Sequence, residues 1–145
     1  MSTLAMSRAE REAFLAETHI GIISIAEPGR GPLTLPIWYR YEPGGAAHFA
    51  TGAHSRKARL IEQAGRISLC VQSETPPYQY VSIEGPARIG TADPERDGRQ
   101  IAIRYLGQLM GERYYAMLAA SPEPTILVTI TPERWYAVDY RKMGA

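Results

Sequence analysis

The long β-type run at residues 78–91 constrains the fold more than any other part of this sequence. Apolar side chains recur there at alternate positions, as in a strand with one buried face: Val81, Ile83, Ala87 and Ile89. Gly85 and Pro86 interrupt the run near its middle. Because glycine and proline inside a strand mark a bend or a bulge, the run predicts a strand that turns a corner, as the strands of small barrels do.

The other β-type runs are short and lie at residues 20–26, 33–41, 47–51, 66–72, 125–131 and 135–140. Glycine- and proline-rich turns connect several of them, which favours antiparallel neighbours. Pro36 lies within one run and cannot donate a ladder hydrogen bond, so it marks a sheet edge, a bulge or a gap that faces a ligand. The pattern predicts a mainly β fold, a small closed barrel of about six antiparallel strands with flanking helices.

Helix-start signals place the helices between these runs. A capping box of Ser7 and Glu10 predicts an amphipathic helix that ends near residue 17. An aspartate cap followed by proline begins a helix expected over residues 93–106, and a further helix is expected over about residues 112–120. The helices are therefore expected to flank the barrel and not to alternate regularly with its strands.

Length, charge and cysteine content narrow the class of protein. The chain has 145 residues without a linker or repeat, so residues 1–145 are expected to form a single domain. A net charge of +1 offers no broad positive field for nucleic acid or for an anionic membrane. Cys70 is the lone cysteine and cannot form an internal disulfide. With no signal peptide and no apolar run of membrane-spanning length, we expect a cytoplasmic protein.

Few side chains have the spacing that catalysis or metal binding requires. The three histidines, His19, His48 and His54, fit no zinc-ligand pattern, so no metal site is predicted. The chain has no Gly-x-Ser-x-Gly nucleophile elbow, no P-loop and no Gly-x-Gly-x-x-Gly motif. Glu84 is a carboxylate without an acidic partner, and we interpret it as structural. These motifs therefore identify no catalytic residue, and the catalytic residues are unknown.

Positive charge is concentrated at the start of a helix that Ser55 is expected to cap. Arg56 and Lys57 follow the serine at once, and Arg59 lies in the same turn. The helix macrodipole disfavours cations at the N-terminal end of a helix, so the helix itself does not explain why these cations are there. One interpretation is an anion such as a phosphate, bound by free N–H groups, a hydroxyl and the two cationic side chains. The other is a solvated basic face behind an ordinary serine cap.

Aromatic side chains lie on two predicted strands, as the pair Trp38 and Tyr39 and the pair Tyr78 and Tyr80. They could flank a planar ligand, or they could belong to the barrel core or to an interface. A barrel that stacks single-stranded nucleic acid on its tyrosines is a third interpretation. Such a site needs a basic groove that this composition does not supply, so nucleic acid is not expected as a partner.

Five segments share their order and spacing with a known superfamily: Pro36-Ile-Trp-Tyr-Arg-Tyr41, Phe49-Ala-Thr51, Ser55-Arg-Lys-Ala-Arg-Leu60, Arg66-Ile-Ser-Leu69 and Tyr80-Val-Ser-Ile-Glu-Gly85. They resemble the pyridoxamine 5′-phosphate oxidase-like FMN-binding split β-barrels, and most of all their flavin/deazaflavin oxidoreductase branch. The resemblance covers roughly residues 15–140. It implies a split β-barrel and a homodimer whose cofactors lie in clefts between the subunits.

The resemblance assigns the phosphate of the cofactor to the basic turn. Ser55, Arg56 and Lys57 match the phosphate-binding turn of the family. Thr51 matches a hydroxyl residue that also reaches the phosphate from the end of the preceding strand. Of the two interpretations of the turn, the resemblance therefore favours the anion site, with the same physical mechanism.

The resemblance also assigns the ring of the cofactor to the second predicted strand. Ile37, Trp38 and Tyr39 lie on the strand whose backbone lines an isoalloxazine-type ring in the family. Arg40 falls where pyridoxamine-phosphate oxidases carry a basic residue near the cofactor, whereas Leu35 replaces another of their basic positions. The cofactor-binding positions implied by resemblance are thus these four residues and the four of the phosphate end.

The implied activity is that of an oxidoreductase. It would transfer a hydride between F-420 or FMN, bound at the dimer interface, and a small planar organic acceptor, with the cofactor carrying the redox chemistry. The Ser-Arg-Lys turn resembles FMN oxidases, whereas the Tyr-x-Tyr-Val-x-x-Glu-Gly segment resembles the deazaflavin branch. An Arg-x-His substrate pattern is absent from residues 135–145, so oxidation of vitamin B6 is not expected. The alternative is a non-catalytic carrier or sensor that binds a flavin, haem or another tetrapyrrole in the same cleft.

Overall fold

The computed structural model describes residues 3–144, which form eight strands and four α-helices. The strands are β1 (Gly21–Ile25), β2 (Leu33–Ile37), β3 (Arg40–Tyr41), β4 (Ala47–Gly52), β5 (Arg66–Gln72), β6 (Gln79–Thr91), β7 (Thr125–Ile130) and β8 (Arg134–Asp139). The helices are α1 (Arg8–Ala16), α2 (Arg56–Ala64), α3 (Gln100–Leu106) and α4 (Gln108–Ala119). A π-helix (Pro94–Arg99) precedes α3, and a 3-10 turn (Tyr140–Lys142) follows β8.

Strand β6 changes partners at Gly85, as the glycine-proline signal predicts. Its first part pairs with β5 and β8, and its last part pairs with β7. The backbone just after β7 passes so close that a Cβ on Gly85 would lie 1.8 Å from the carbonyl oxygen of Thr131. Only glycine fits this crossing. The long run at residues 78–91 therefore joins the two halves of the sheet.

The strands form one sheet in the order β2-β1-β5-β6-β7-β4-β3, with β8 added beside β6. Every pairing is antiparallel. The two ends of this order, β2 and β3, are consecutive in the chain, and Trp38 and Tyr39 alone separate them. That connection holds the ends within about 10 Å of each other, so the sheet curls round. The mainly β split-barrel fold is confirmed, and we call the gap between β2 and β3 the seam.

The strand prediction needs two corrections. Residues 33–41 do not form a single strand, because β2 pairs with β1 whereas β3 pairs with β4. The chain must leave one ladder to join the other, and it does so at the seam. Each of the seven β-type runs forms a strand and the run at residues 33–41 forms two, so the described residues have eight strands and not about six. Pro36 is on β2, which is the end strand of the sheet, as one of its three interpretations proposed.

Alternate residues of the strands fill the barrel. Ile37, Tyr39 and Tyr41 are all buried, as the alternation in residues 33–41 predicts. Helix α1 packs on the same core through Phe14 and Leu15. The hydroxyl of Tyr39 donates a hydrogen bond to the carbonyl oxygen of Leu15 at 2.6 Å. A buried phenol is tolerated here because its polar end finds a backbone partner.

The first two helices begin where the sequence predicts. The capping box of Ser7 and Glu10 starts α1, and Ser55 caps α2. Gly65 ends α2 in the left-handed conformation, with φ of 71°. Within residues 3–144, the helices lack the combination of length and apolar character needed to cross a membrane.

The helical segment after β6 differs from the prediction. Residues 93–106 form a π-helix followed by α3 instead of one helix, and α4 begins at Gln108 instead of near residue 112. Gly111 allows α3 and α4 to approach closely, since a Cβ there would lie 2.5 Å from the Cα of Ile103. Single π-helical turns often occur at functional sites. We call the π-helix, α3 and α4 together the helical hairpin (residues 94–119); it lies beside the seam and forms one wall of the site described next.

Candidate functional site

A cavity of about 310 Å³ opens beside the seam, and we call it the seam cavity. Its volume is at the lower end of the range of small-molecule sites. Lys57 and Asp97 are the charged side chains in its wall. The rest of the wall is glycine, apolar or aromatic: Ile20, Pro36, Ile37, Trp38, Ala50, Gly98, Ile101, Tyr114 and Leu118. The cavity therefore lies between the barrel, the start of α2 and the helical hairpin.

Lys57 faces the seam cavity as an unpaired cation. It is at the second position of α2, just after the cap and Arg56. In the described part of the chain, its ammonium group has no hydrogen-bond or ion-pair partner. Burial lowers the pKa of Lys57, because a charge is costly to desolvate without a counter-ion. An anion bound in the cavity would remove that cost.

The other members of the predicted phosphate turn are differently placed. The hydroxyl of Ser55 accepts a hydrogen bond from the N–H of Ala58 at 3.0 Å and serves as the helix cap. Arg56 forms an ion pair with Glu27 at 2.6 Å. Thr51 is half-buried on β4 and lies outside the cavity wall. The lysine is therefore the member of the predicted turn that the cavity presents to a ligand.

Trp38 is at the seam and forms the aromatic part of the wall. Its indole stacks on the ring of Tyr105 from α3, with centroids 5.1 Å apart and planes 6° apart. Tyr114 from α4 contacts the indole at 5.2 Å with a tilt of 56°. Tyr39 points the other way, into the core, where burial raises its pKa. Of these two rings, which the sequence suggested could flank a planar ligand, Trp38 lines the cavity, whereas the side chain of Tyr39 does not reach it.

Asp97 is a buried carboxylate in the cavity wall, with 4% of its surface exposed. Arg40 donates to its Oδ1 from Nε at 3.2 Å, and the Nη2 of Arg40 forms an ion pair with the same oxygen at 3.1 Å. Arg96 donates to both oxygens at 3.0 Å. The backbone N–H of Asp93 adds a hydrogen bond at 2.8 Å. Burial acts to raise the pKa of Asp97, but these hydrogen bonds hold it below its usual value. Arg40, which the resemblance places near the cofactor, lies outside the cavity wall and shares the Asp97 carboxylate with Arg96.

The seam cavity thus combines one free cation with an apolar and aromatic wall. Asp97 has its lone pairs occupied by the donors just described, so it offers a ligand little further acceptor capacity. The arrangement suits a ligand with an anionic group near Lys57 and a planar apolar ring near Trp38. Across residues 3–144, no three His, Cys, Asp or Glu side chains come together as a possible metal site.

Three of the eight predicted cofactor residues line the cavity, namely Ile37, Trp38 and Lys57. Sequence reasoning missed the residues that the helical hairpin contributes, above all Asp97, Tyr105 and Tyr114. The sequence of this segment contains an aspartate cap and several tyrosines, but neither feature predicts which strand a helix will pack against. The structure places these side chains beside a seam that lies more than fifty residues earlier in the chain.

Solved structures share this fold. A conserved hypothetical protein from Mycobacterium tuberculosis is 26% identical, with a TM-score of 0.78 over 100% of this chain and 92% of that one. An F420 reductase is 20% identical, with a TM-score of 0.67 over 86% of this chain and 94% of that one. A FAD-binding protein from Mesorhizobium loti is 16% identical, with a TM-score of 0.64 over 92% and 93%. At such identities the last two show likeness of fold alone.

The sequence itself matches a known family. No functionally curated protein matches the chain. A sequence model described as pyridoxamine 5′-phosphate oxidase matches residues 7–139, which include the seam, the start of α2 and the helical hairpin. This span covers nearly the whole chain and agrees with the split barrel. The chain therefore belongs to the pyridoxamine 5′-phosphate oxidase family.

Proposed function

We propose that this protein is an oxidoreductase that transfers a hydride between a phosphate-bearing flavin-type cofactor, F-420 or FMN, and a small planar organic acceptor. The observation that carries the proposal is the unpaired Lys57 in the same cavity as Trp38. Family membership supports a flavin-related role. The names of the F420 reductase and the FAD-binding protein, which share the fold, support it further.

Lys57 is the proposed partner of the cofactor phosphate. The first N–H groups of α2 have no partner inside the helix, and the Ser55 hydroxyl caps the one at Ala58. A phosphate near this end would meet free N–H groups and the favourable end of the helix dipole. It would also supply the counter-charge that Lys57 lacks. The residues present therefore fit the anionic part of such a cofactor.

The ring of the cofactor is proposed to lie against Pro36, Ile37 and Trp38. This wall is apolar, so it keeps water away from a planar ring, and the indole can stack with it. The bound cofactor supplies hydride-transfer chemistry that amino-acid side chains do not provide. The protein itself contributes binding, orientation and electrostatics, which agrees with a described cavity wall whose one carboxylate, Asp97, is already hydrogen-bonded by arginines.

We further propose a homodimer in which a second copy covers the outer face of the sheet. A row of side chains crosses that face from β1 to β8 through paired positions: Ile22, Cys70, Ser82 and Tyr136. Ile22 is 39% exposed and Tyr136 is 66% exposed. A groove of about 550 Å³ on this face shares Ile20 with the seam cavity. A partner bound here would therefore lie next to the proposed cofactor.

Turnover tests the proposed function. The protein is mixed with FMN or with F-420, the cofactor is reduced, and its reoxidation by quinone and enone acceptors is followed by absorbance. We expect reoxidation that depends on both acceptor and protein. Tight binding without reoxidation by any acceptor would instead support the carrier or sensor, for which haem and tetrapyrroles are then tested. Failure to bind either cofactor contradicts the proposal.

Sedimentation tests the dimer. The protein should sediment at twice its chain mass of 16.1 kDa, and Ile22→Lys, which places a charge in the row, should shift it to the monomer. A wild-type monomer at all concentrations contradicts the dimer proposal. We also propose a cytoplasmic location, in keeping with the unpaired Cys70, which cell fractionation checks.

A further inference from the structure

The backbone at the seam is held by a side chain in place of a neighbouring strand. Trp38 and Tyr39 belong to no ladder. The N–H of Tyr39 donates instead to the hydroxyl oxygen of Tyr105 at 3.1 Å. The proton of that hydroxyl has two carbonyl oxygens in reach, that of His19 at 2.7 Å and that of Tyr39 at 3.1 Å. One phenol group thus satisfies backbone groups that would otherwise lack partners at the seam.

The same residue also supports the indole of Trp38. The two rings are nearly parallel, so the ring of Tyr105 covers one face of the indole. Burial raises the pKa of Tyr105, which keeps its hydroxyl protonated and able to donate near neutral pH. The neighbouring Arg104 fixes the end of α3, because its guanidinium donates to the carbonyl oxygen of Ala16 at 3.0 Å. Tyr105 is therefore anchored on one side and in contact with the seam on the other.

We propose that Tyr105 is a positioning residue for the ring of the cofactor. It does not itself line the seam cavity, whereas Trp38 does. Its hydroxyl fixes the backbone at Tyr39 and its ring fixes the indole, so that Trp38 presents one constant surface to the bound ring. This inference rests on the proposed function, because it concerns the ring end of the same site.

The test compares two probes that differ only in the phosphate, FMN and riboflavin. Tyr105→Phe keeps the aromatic stack and removes the hydroxyl. Tyr115→Phe is the matched control, since it removes a hydroxyl from the same helical hairpin that has no hydrogen-bond partner among the described residues. We expect Tyr105→Phe to raise the Kd of both probes by the same factor, about 5–10-fold, which is the scale of one lost hydrogen bond. The control should leave both Kd values unchanged.

A spectroscopic measurement separates positioning from simple loss of stability. Flavin is held in one orientation by wild-type protein, so bound FMN at saturation should show visible circular dichroism. In Tyr105→Phe that signal should fall by about half or more, because a seam with unsatisfied backbone groups holds the ring less firmly. An unchanged Kd together with an unchanged signal overturns the inference. If F-420 is the tighter cofactor, F-420 and its phosphate-free deazariboflavin core replace the two probes.

A double-mutant cycle tests whether Tyr105 acts through Trp38. Because Tyr105 is proposed to act through Trp38, Tyr105→Phe should cause little further loss of riboflavin affinity in a Trp38→Leu background. Additive losses overturn the inference. If Tyr105→Phe does not fold, Trp38→Leu alone must weaken FMN and riboflavin equally, and unchanged affinities overturn it. Wild-type protein that binds no probe contradicts the proposed function itself, which distinguishes the two failures.

Discussion

Replacing Lys57 with alanine should weaken binding of the phosphate-bearing cofactor while the fold stays intact. Within the described residues the ammonium group has no partner, so its loss breaks no known ion pair. A charge-assisted hydrogen bond to a phosphate contributes about 1.5–3 kcal/mol. That energy corresponds to a rise in Kd of ~10–150-fold. Burial already lowers the pKa of Lys57, so removing the side chain also removes a desolvation cost, and the melting temperature should not fall.

The assay is fluorescence titration with FMN and with riboflavin. Lys57→Ala should lower the affinity for FMN and leave the affinity for riboflavin unchanged, because riboflavin has no phosphate. Arg59→Ala removes the same charge from an exposed position on the same helix and is the matched control. We expect it to change the Kd of FMN by less than about threefold, since an exposed charge is well screened. A loss as large in Arg59→Ala, or a matching loss for riboflavin, would refute the reasoning.

Three further perturbations follow from the same contacts. FMN affinity should fall as pH rises through the pKa of Lys57, which burial holds below 10.5, because only the protonated ammonium attracts phosphate. Riboflavin has the same ring, so the ratio of the two affinities removes any ionisation of the ring, and that ratio should fall over the same range. Asp97→Asn should reduce the free energy of unfolding by about 2–3 kcal/mol at neutral pH, because the charge-assisted hydrogen bonds to two partly exposed arginines are weakened or lost. Since the folded pKa of Asp97 is lowered, this contribution is fully present above pH 3.8 and is lost as pH falls through the folded pKa, which urea unfolding can follow. Gly85→Ala should lower the free energy of unfolding by more than about 3 kcal/mol or prevent folding, since its Cβ would meet Thr131. Gly90→Ala on the same strand is the control: its Cβ would have open space, so thermal unfolding should show a change of less than about 1 kcal/mol.

Much of the fold could be predicted because its signals are local. The alternation in residues 78–91 and the Gly85-Pro86 pair are properties of neighbouring residues, and β6 follows them as far as Val81 and Ile83, which are buried. Ile89, which the alternation places on the same inward face, is 38% exposed. The same alternation places Tyr39 with Ile37 and Tyr41 on the inward face, and the structure buries all three. The break at Trp38 was not predictable in this way. It depends on which strands β2 and β3 join, and that is a property of the whole sheet.

The candidate site was predictable in part for the same reason. Misplaced charge at a helix start pointed to Lys57, and that residue faces the cavity. The pairing of Arg56 with Glu27 joins residues 29 positions apart, and that of Arg40 with Asp97 joins residues 57 apart. Periodicity constrains neighbours along the chain and says little about such distant partners. Two of the predicted cations therefore proved to have internal counter-ions that sequence patterns could not reveal.

The central claim is that the seam cavity binds a phosphate-bearing flavin-type cofactor between Lys57 and Trp38. Equilibrium titration of the wild-type protein with FMN and with F-420 tests it most directly. The account predicts saturable binding of at least one of them, with one cofactor per chain and an affinity that Lys57→Ala reduces. The claim would be contradicted if neither cofactor saturated the protein. It would also be contradicted if Lys57→Ala left the Kd of the bound cofactor unchanged.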